Sequence, residues 1–293
     1  NCITSVDEKD KSFIEKSTIY VSLEPCAHHG KTPPCTDLII KNKIKKVIIG
    51  CKDIYKEVAG KGIEKLRNAG IEVVTDILEQ KCKELNKRFF TFHQKQRPYI
   101  ILKWAQSVNG KIGSNNNERI LISNDYSNRL VHKWRSEEAA ILVGTNTAIK
   151  DDPSLTTRLW KGKNPVRVVI DKELKLLSSA KLISKETNTI IFNLVKTSVE
   201  ENINYIRLGN ESFLQEILFS LYKLNIQSVL VEGGARTLQS FIDAGLWDEA
   251  RIITNETMLI ENGIKAPEMK NFLLIKQENY FYDKMDYYKN NLQ

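Results

Sequence analysis

The chain has 293 residues, of which 41% are hydrophobic, and a formal net charge of +8, but it contains no run of about 18 apolar residues. This length and composition predict two packed domains and exclude a membrane-spanning helix, so no membrane partner is expected. The polar, charged beginning predicts that there is no signal peptide. The five cysteines favour a reducing, cytoplasmic location over disulfide bonds.

Basic residues are mixed with acidic ones, as in KELNKR at 83–88 and DKELK at 171–175, and they form no long block of one sign. Proteins that bind nucleic acid usually concentrate their basic residues in a patch or stripe. We therefore expect no nucleic-acid partner and instead a small anionic substrate, such as a phosphorylated one. One interpretation from another class stays open, a zinc-stabilised nucleic-acid-binding module, because the net charge of +8 suggests it.

Strands and helices alternate through the first third of the sequence. Strands are predicted at 18–22, 46–51 and 71–76, and helices are predicted after Cys35, at 62–70 and, as one long helix, at 78–96. This order predicts a layered α/β domain with a largely parallel sheet. The basic stretch QKQRP at 94–98 is the predicted linker, which gives domains 1–96 and 97–293.

The second part is also predicted to be α/β. It opens with a strand at 99–105, and the dipeptide Asn109-Gly110 that follows predicts a β-hairpin. Ser123 or Asn124 can cap a helix that runs to about Glu138. Further strands are predicted at 141–143, 166–170, 190–192, 203–208, 228–231, 252–254 and 272–276, and further helices at 212–224 and 237–244.

Two cysteines of the first domain have the spacing of metal ligands. Cys26 and Cys35 are separated by eight residues, which include His28, His29 and two prolines. Catalytic zinc sites use three protein ligands and a water molecule. The zinc nucleobase deaminases combine Pro-Cys and a second Cys with an upstream His-x-Glu whose glutamate moves protons. Cys26 and Cys35 are therefore predicted to be two ligands of a catalytic Zn²⁺ whose third ligand lies elsewhere.

The segment LEPCAHHGKTPPC at 23–35 resembles the zinc motif of the bifunctional deaminase–reductases of riboflavin biosynthesis. In that family a His-Ala-Glu segment precedes the part that Asn1-Cys2-Ile3 resembles, so this sequence is expected to begin just after the proton-shuttling glutamate. We then expect it to hold zinc poorly and to deaminate negligibly. Glu24 lies two residues before a metal thiolate, which favours a structural carboxylate over the shuttle. The resemblance implies substrate contacts in and after the zinc loop, at His28, Lys31, Thr32 and Asp53.

A second motif, VLVEGGARTLQSFIDAG at 229–245, places two glycines between a predicted strand and a predicted helix. Backbone N–H groups at a helix N-terminus favour phosphate, and glycine allows a close approach, although a plain strand-to-helix turn has the same sequence pattern. The sequence lacks GxGxxG, so a dinucleotide-binding Rossmann unit is not supported.

Together with LKWAQSVNGKI at 102–112, ILVGTNTAIKDDPSLTTR at 141–158 and VRVVID at 166–171, this motif resembles the reductase half of the same bifunctional family. That half resembles dihydrofolate reductase in fold and uses NADPH. The resemblance implies NADPH contacts at Ala105, Thr147, Asp151, Gly234, Ala235, Arg236, Thr237, Leu238, Gln239 and Ser240. It implies substrate contacts at Lys111, Arg135, Leu155, Arg158 and Glu232. Asp151 is also the catalytic candidate.

The sequence departs from the family where Leu121 to Asn124 replace Trp-Ile-Thr-Ser and where Arg119 replaces a substrate-contacting serine. The resemblance extends over nearly all of residues 18–260. It implies a truncated cytidine-deaminase-like α/β/α layered domain followed by a dihydrofolate-reductase-like α/β domain. The expected protein is a homo-oligomeric enzyme of riboflavin biosynthesis that deaminates a phosphoribosylamino-pyrimidine with Zn²⁺ and reduces its ribosyl group with NADPH. A reductase with a non-catalytic deaminase-like half is the alternative.

Overall fold

The computed structural model describes residues 2–29, 33–54, 59–116 and 120–292. Within it the chain divides into two units, Asn1–Gln96 and Arg97–Gln293, here called the first and second unit. No helix among the described residues has the length and apolar character needed to cross a membrane.

The described residues of the first unit form three strands and four α-helices, preceded by a 3-10 helix at Glu8–Lys16. In chain order these are β1 (Thr18–Leu23), α1 (Cys35–Lys41), β2 (Lys46–Cys51), α2 (Lys61–Asn68), β3 (Glu72–Val74), α3 (Glu79–Leu85) and α4 (Lys87–Lys95). The strands form a parallel sheet in the order β1-β2-β3, which confirms the predicted alternation of strands and helices. Its core joins Val47 and Ile49 of β2 to Ile39 of α1 and Leu66 of α2.

The predicted long helix over 78–96 is wrong, because the structure breaks it into α3 and α4 at Asn86. This residue has φ −98° and ψ 17°, and its side-chain Nδ2 donates to the carbonyl oxygen of Cys82 at 2.8 Å. An asparagine side chain that binds the backbone of the preceding turn competes with continued helical hydrogen bonding. The apolar pattern of the sequence does not show this local competition.

The second unit is built on one ten-stranded sheet and a separate two-stranded ribbon. Its strands are β4 (Tyr99–Ser107), β5 (Lys111–Ser114), β6 (Ala140–Gly144), β7 (Val166–Ile170), β8 (Thr189–Asn193), β9 (Ser198–Glu200), β10 (Ile203–Arg207), β11 (Ser228–Gly233), β12 (Glu249–Asn255), β13 (Gly263–Lys265), β14 (Phe272–Tyr280) and β15 (Asp283–Asn290). Its α-helices are α5 (Asp125–Glu137), α6 (Thr145–Asp151), α7 (Phe213–Lys223) and α8 (Ala235–Asp243), and a short 3-10 helix spans Lys181–Ile183.

The sheet order is β14-β15-β12-β4-β11-β6-β7-β8-β10-β9. The seven strands from β12 to β10 in this order are parallel, and antiparallel strands lie at both edges. The mixed α/β character that the sequence predicts is therefore confirmed. Parallel strands bring their carboxyl ends, and the loops that follow them, to one edge of the sheet, where α/β proteins bind ligands.

Successive side chains of β4 point to opposite faces of the sheet. Leu102 and Trp104 join the core that contains α7 and α8, whereas Ile101 joins the core that contains Val131 and Trp134 of α5. Lys103 has the parity of Ile101 and therefore lies on the α5 face of the sheet.

The predicted hairpin at Asn109-Gly110, in which β4 and β5 would pair with each other, is wrong. The turn is present and Gly110 has φ +68°, but β5 pairs with β13 rather than with β4. The side chain of Asn109 donates from Nδ2 to the Ile260 carbonyl oxygen at 3.0 Å and accepts from the Ile260 N–H at 3.3 Å. These bonds hold the turn against the distant segment that leads to β13.

Candidate active site

The two predicted metal ligands of the first unit lie next to each other. Cys26 follows β1 and Cys35 is the first residue of α1, and the Cys35 N–H donates to the Cys26 sulfur at 3.3 Å. Burial and the neighbouring Cys26 sulfur raise the pKa of the Cys35 thiol above its ordinary value. The start of a helix favours thiolate, but here these two effects outweigh it. A cation between the two sulfurs would reverse the electrostatic part of the shift.

Glu24 is engaged by the backbone on both carboxylate oxygens. Oε2 accepts from the N–H groups of Asp53 and Gly60 at 3.2 and 3.0 Å, and Oε1 accepts from those of Gly62 and Ile63 at 2.9 and 3.2 Å. The side chain thus ties the end of β1 to the loop after β2 and to the start of α2. This geometry agrees with the structural role that the sequence favours for Glu24.

The remaining residues predicted for the first site differ in how exposed they are. His28 is exposed, Asp53 is half-buried, and Lys31 and Thr32 lie outside the described residues. Among the residues that the structure describes, no three His, Cys, Asp or Glu side chains are grouped closely enough to hold a metal ion. The first unit therefore shows two neighbouring sulfur donors and no third ligand within its described part.

In the second unit, Arg135 and Glu232 form an ion pair with two hydrogen bonds. Arg135 lies in the last turn of α5 and Glu232 lies near the end of β11. Nε donates to Oε1 at 2.8 Å and Nη2 donates to Oε2 at 2.6 Å, and the two side chains are only 12% and 8% exposed. Arg135 Nη1 also donates to the Thr156 carbonyl oxygen at 3.2 Å, which fixes the loop after α6 beside the pair.

The charges in this cluster shift one another's pKa values. Burial raises the pKa of Glu232, but Arg135 and Lys103 outweigh it and lower that pKa to about 2. Burial, with Arg135 and Arg158 nearby, lowers the pKa of His132 to about 4. At neutral pH the site therefore holds an ionised carboxylate, a paired guanidinium and a neutral imidazole.

Lys103 belongs to this site, although the sequence reasoning did not select it. It follows Leu102, which pairs with Val231 in the parallel β4–β11 register, so that Lys103 and Glu232 come next on neighbouring strands. Burial lowers the pKa of Lys103, and Glu232 opposes that shift. Within the described residues its ammonium makes no hydrogen bond or ion pair within 4 Å. The signal available in the sequence was a lysine inside the otherwise apolar strand YIILKWA.

Two predicted substrate residues come from the loop after α6. Arg158 is exposed, and its Nη1 lies 3.5 Å from Thr156 Oγ1. Leu155 has φ +52° and is 2% exposed, and its side chain packs into the core with Leu182. Only the backbone of Leu155 can therefore face a ligand. Asp151, the catalytic candidate, is half-buried at the end of α6.

Helices α6 and α8 begin side by side at the carboxyl ends of β6 and β11. Gly144 and Gly234 are their N-cap residues. A Cβ atom at Gly144 would overlap Thr237 Oγ1, and a Cβ atom at Gly234 would lie 2.8 Å from Thr147 Oγ1. The two glycines thus allow a close approach of the two helix starts, and Glu232 lies two residues before Gly234.

The other predicted cofactor positions differ in how exposed they are. Ala105 is half-buried on β4, and Ala235, Arg236, Gln239 and Ser240 are exposed or half-buried on the first turns of α8. Leu238 is fully buried in the core and cannot offer its side chain to a cofactor. Lys111 begins β5, where its N–H donates to Ser107 Oγ at 3.1 Å. Leu121, one of the departures from the family pattern, is 70% exposed, and Arg119 lies outside the described residues.

A polar, charged cluster beside a glycine turn at the carboxyl edge of a parallel sheet is typical of a small-molecule enzyme site. Comparison with known proteins agrees: residues 98–259 match the family model of the RibD C-terminal domain. The chain is 43% identical over 238 residues to the riboflavin biosynthesis protein RibD of Aquifex aeolicus, covering 79% of this chain and 67% of that protein. It is 37% identical over 248 residues to RibD of Actinobacillus pleuropneumoniae, covering 80% and 66%. The chain belongs to the RibD family, and the aligned region spans about two thirds of these relatives.

Solved structures give the same result. The Thermotoga maritima diaminohydroxyphosphoribosylaminopyrimidine deaminase/5-amino-6-(5-phosphoribosylamino)uracil reductase superimposes with a TM-score of 0.83 at 35% identity, covering 93% of this chain and 79% of that one. Acinetobacter baumannii RibD gives a TM-score of 0.85 at 29% identity, covering 96% and 83%. The riboflavin biosynthesis reductase Rib7 of Saccharomyces cerevisiae, at 18% identity and a TM-score of 0.55 over 70% of this chain, shares the fold.

Proposed function

We propose that the second unit catalyses the NADPH-dependent reduction of the ribosyl group of 5-amino-6-(5-phosphoribosylamino)uracil to a ribityl group. The observation that carries this proposal is the half-buried cluster of Lys103, Arg135 and Glu232 directly before the glycine turn. Membership of the RibD family supports the reaction class. The cluster supplies the groups that would orient the substrate.

The ionised Glu232 binds the base of the substrate in this proposal. Each carboxylate oxygen accepts one hydrogen bond from Arg135 and keeps further acceptor capacity. Ring and amino N–H groups of an aminouracil can donate to it. Arg158, which is exposed at the end of the same loop, would clamp the phosphate with its planar fork of donors. In this proposal the backbone of Leu155 also contacts the substrate, and Lys111 is a further cationic contact to it.

Opening of the ribose ring turns the ring oxygen into a hydroxyl group, which requires a proton. We assign Lys103 Nζ as the donor to this oxygen. Burial lowers the pKa of Lys103, so that it gives up a proton more readily than a lysine in water. Its lack of an acceptor within the described residues leaves its N–H groups for the substrate. Asp151 is the second candidate, at the end of α6.

NADPH, when bound, supplies the hydride. The residues present fit it, because Gly144 and Gly234 let the starts of α6 and α8 come close together, where side chains would collide with Thr237 and Thr147. The N–H groups at the start of α8 face the same turn and favour an anion. Ala105, Thr147, Asp151 and the exposed side of 234–240 would complete the cofactor site.

For the first unit we propose hydrolytic deamination of the preceding pyrimidine, with Cys26 and Cys35 as thiolate ligands of Zn²⁺. Zinc, when bound, activates a water molecule. The donor chemistry of the two sulfurs fits, and the third ligand and the proton shuttle would come from outside the described residues. Glu24 does not serve as shuttle because four backbone N–H groups hold it. His28, Lys31, Thr32 and Asp53 are the proposed substrate contacts.

A reductase with a non-catalytic first unit is the second candidate. It is favoured by one observation, that the described residues contain the two thiols and no third ligand near them. Both candidates share the same second unit, so they differ only in the release of ammonia.

Substrate assays separate these possibilities. The chain is incubated with NADPH and either the aminated or the deaminated substrate, while NADPH absorbance and ammonia release are followed. We expect NADPH oxidation with the deaminated substrate, and its loss in Glu232→Gln but not in the exposed control Glu137→Gln on α5. Ammonia release from the aminated substrate supports the bifunctional form, whereas NADPH oxidation without ammonia release is the result expected when the third zinc ligand and the proton shuttle are missing. No NADPH oxidation by a folded chain would overturn the proposal.

A further inference from the structure

His132 is a buried polar residue of the second unit that the proposed reaction does not use. It lies on α5, three residues before Arg135, and only 5% of it is exposed. Residues three apart lie on the same side of a helix. The charges of Arg135, Arg158 and Glu232 all act on its ionisation, so the imidazole lies within the reductase cluster.

The position of the proton on the imidazole follows from its surroundings. Burial, with Arg135 and Arg158 nearby, lowers the pKa of His132 to about 4, whereas a hydrogen bond with the backbone of Thr156 opposes this shift. The ring is therefore neutral at pH 7, and one of its two nitrogens is protonated. Nδ1 is buried and has no hydrogen-bond partner among the described residues. Nε2 is thus the nitrogen that donates to the Thr156 carbonyl oxygen.

The Thr156 carbonyl oxygen accepts a second hydrogen bond from the same helix. Arg135 Nη1 donates to it at 3.2 Å. A carbonyl oxygen has two lone pairs and can accept both bonds. Thr156 is itself only 3% exposed, so water does not replace a lost donor easily. The two bonds from α5 together hold the loop after α6 at this residue.

The residues on either side of Thr156 are held in other ways. Leu155 packs its side chain into the core with Leu182. The N–H and Oγ1 of Thr157 both donate to Asn164 Oδ1 at 2.9 Å. Arg158 follows directly and is exposed. Its guanidinium therefore extends from a short segment in which each of the three preceding residues is fixed.

We propose that His132 is a positioning residue of the reductase site, whose Nε2–H fixes the Thr156 carbonyl oxygen and thereby places Arg158 for the substrate phosphate. This inference rests on the function proposed for the second unit. A group that is fixed before binding loses less conformational freedom when the ligand arrives, which increases affinity. Because His132 acts through the loop, its loss should raise the KM for the substrate and leave kcat nearly unchanged.

The contact itself is tested without substrate, by the protonation state of the ring. Long-range proton–nitrogen NMR spectra of the nitrogen-15-labelled protein show which imidazole nitrogen carries the proton. The signals of His132 are identified by their absence in His132→Gln. At pH 7 we expect a neutral ring that is protonated on Nε2. A ring protonated on Nδ1, or on both nitrogens, overturns the proposal.

The effect on substrate binding is tested with His132→Gln and His132→Leu. The amide nitrogen of glutamine can take the place of Nε2, whereas leucine fills the space without a donor. Loss of this hydrogen bond should raise the KM for 5-amino-6-(5-phosphoribosylamino)uracil about 2- to 12-fold in His132→Leu. His132→Gln should stay within about twofold of the wild type, and the NADPH dissociation constant should not change in either variant.

Val131→Ala is the matched control for a general loss of stability. Val131 is buried on the same helix and packs with Ile101 rather than with the loop, so its KM should equal that of the wild type. A wild-type KM in a folded His132→Leu protein overturns the proposal. Failure of His132→Gln to restore the KM, when that variant is folded, also overturns it.

The route through Arg158 is tested by combining variants. If His132 acts by placing Arg158, the double variant His132→Leu/Arg158→Ala should have the KM of Arg158→Ala alone. Residues that act through one contact are not additive, whereas independent ones are. Fully additive effects overturn the proposed route. A wild type without turnover would instead overturn the proposed function, and the NMR measurement then decides the contact of His132 by itself.

Discussion

The two candidate sites differ in how far the chain completes them. In the second unit, Arg135 and Glu232 neutralise each other through two hydrogen bonds and are nearly excluded from water. In the first unit, Cys26 and Cys35 lie side by side, and burial together with the Cys26 sulfur raises the pKa of the Cys35 thiol. The first arrangement is stable as it stands, whereas the second becomes favourable when a cation joins it.

Because of this difference, substitutions in the two sites should affect the stability of the protein to different extents. Removing one partner of a buried ion pair leaves an uncompensated charge and is costly, whereas removing a partly exposed thiol is not. Substitutions in the second site should therefore change folding as well as catalysis. Those in the first should change metal binding with little effect on folding. All four tryptophans, Trp104, Trp134, Trp160 and Trp247, belong to the second unit, so that their fluorescence reports its unfolding separately.

The largest effect is expected from Glu232→Ala. It leaves the Arg135 guanidinium and the Lys103 ammonium without their counter-charge, and should lower the free energy of unfolding of the second unit by about 3–5 kcal/mol. Urea unfolding followed by tryptophan fluorescence measures it, with Glu137→Ala, an exposed carboxylate on α5, as control. Equal stabilities of Glu232→Ala and the control would show that the ion pair does not hold this region together.

Acid should also lower the stability of the second unit, because His132 lies there. Its pKa is about 4 in the folded protein and ordinarily 6.5, so below pH 6.5 the unfolded chain binds a proton that the folded chain does not. Stability therefore falls as the pH falls from 6.5 towards 4. Between pH 7.5 and 5 this one group should remove about 2 kcal/mol from the second unit. In His132→Gln that part of the pH dependence should vanish, and an unchanged slope would contradict the assignment.

Arg158→Ala should affect the substrate more than the fold. Arg158 is exposed, so its loss should leave unfolding nearly unchanged. Loss of a charged hydrogen-bond partner of the phosphate costs roughly 1.5–3 kcal/mol, which corresponds to a rise in KM of about ten- to a hundredfold. NADPH affinity, measured by fluorescence, should stay the same. A wild-type KM together with weaker NADPH binding would show that this side chain serves the cofactor instead.

The smallest effect on stability is expected from Cys26→Ser and Cys35→Ser, each within about 0.5 kcal/mol. Both should reduce the thiolate-to-metal absorption that appears on adding Cd²⁺ or Co²⁺. Cys82→Ser, a free cysteine elsewhere in the first unit, is the matched control and should retain that absorption. If the control loses as much absorption as the two variants, the metal is bound elsewhere.

The sequence predicted most of the framework, because that framework follows from periodicity. Strands such as Val166–Ile170 and the Asn124 cap of α5 are where the pattern places them. The failures lie where a side chain redirects the backbone. Asn86 breaks a helix whose apolar pattern continues, and Asn109 sends β5 to a partner about 150 residues away. Such bonds depend on tertiary neighbours that no local pattern encodes.

The sequence indicated some residues of the candidate site but not which of them pair with each other. Glu232 stood out as a carboxylate at the end of an apolar strand, and the glycines after it marked the turn. That Arg135 is its partner could not be read from the sequence, because 97 residues separate them and only the packing of α5 on the sheet brings them together. Lys103 was not predicted because a single lysine in a strand is commonly a surface residue. The face of the sheet on which its side chain lies became clear only once the order of the strands was known.

Lys103, Arg135 and Glu232 form the proposed reductase site, beside a separate cofactor turn. Turnover of Lys103→Met with NADPH and 5-amino-6-(5-phosphoribosylamino)uracil tests this proposal most directly, because methionine is unbranched and of similar length but carries no charge. The account predicts that kcat falls at least about a hundredfold, in line with removal of a general acid, while the NADPH dissociation constant stays within about twofold. A folded Lys103→Met protein that turns over at the wild-type rate would contradict the account.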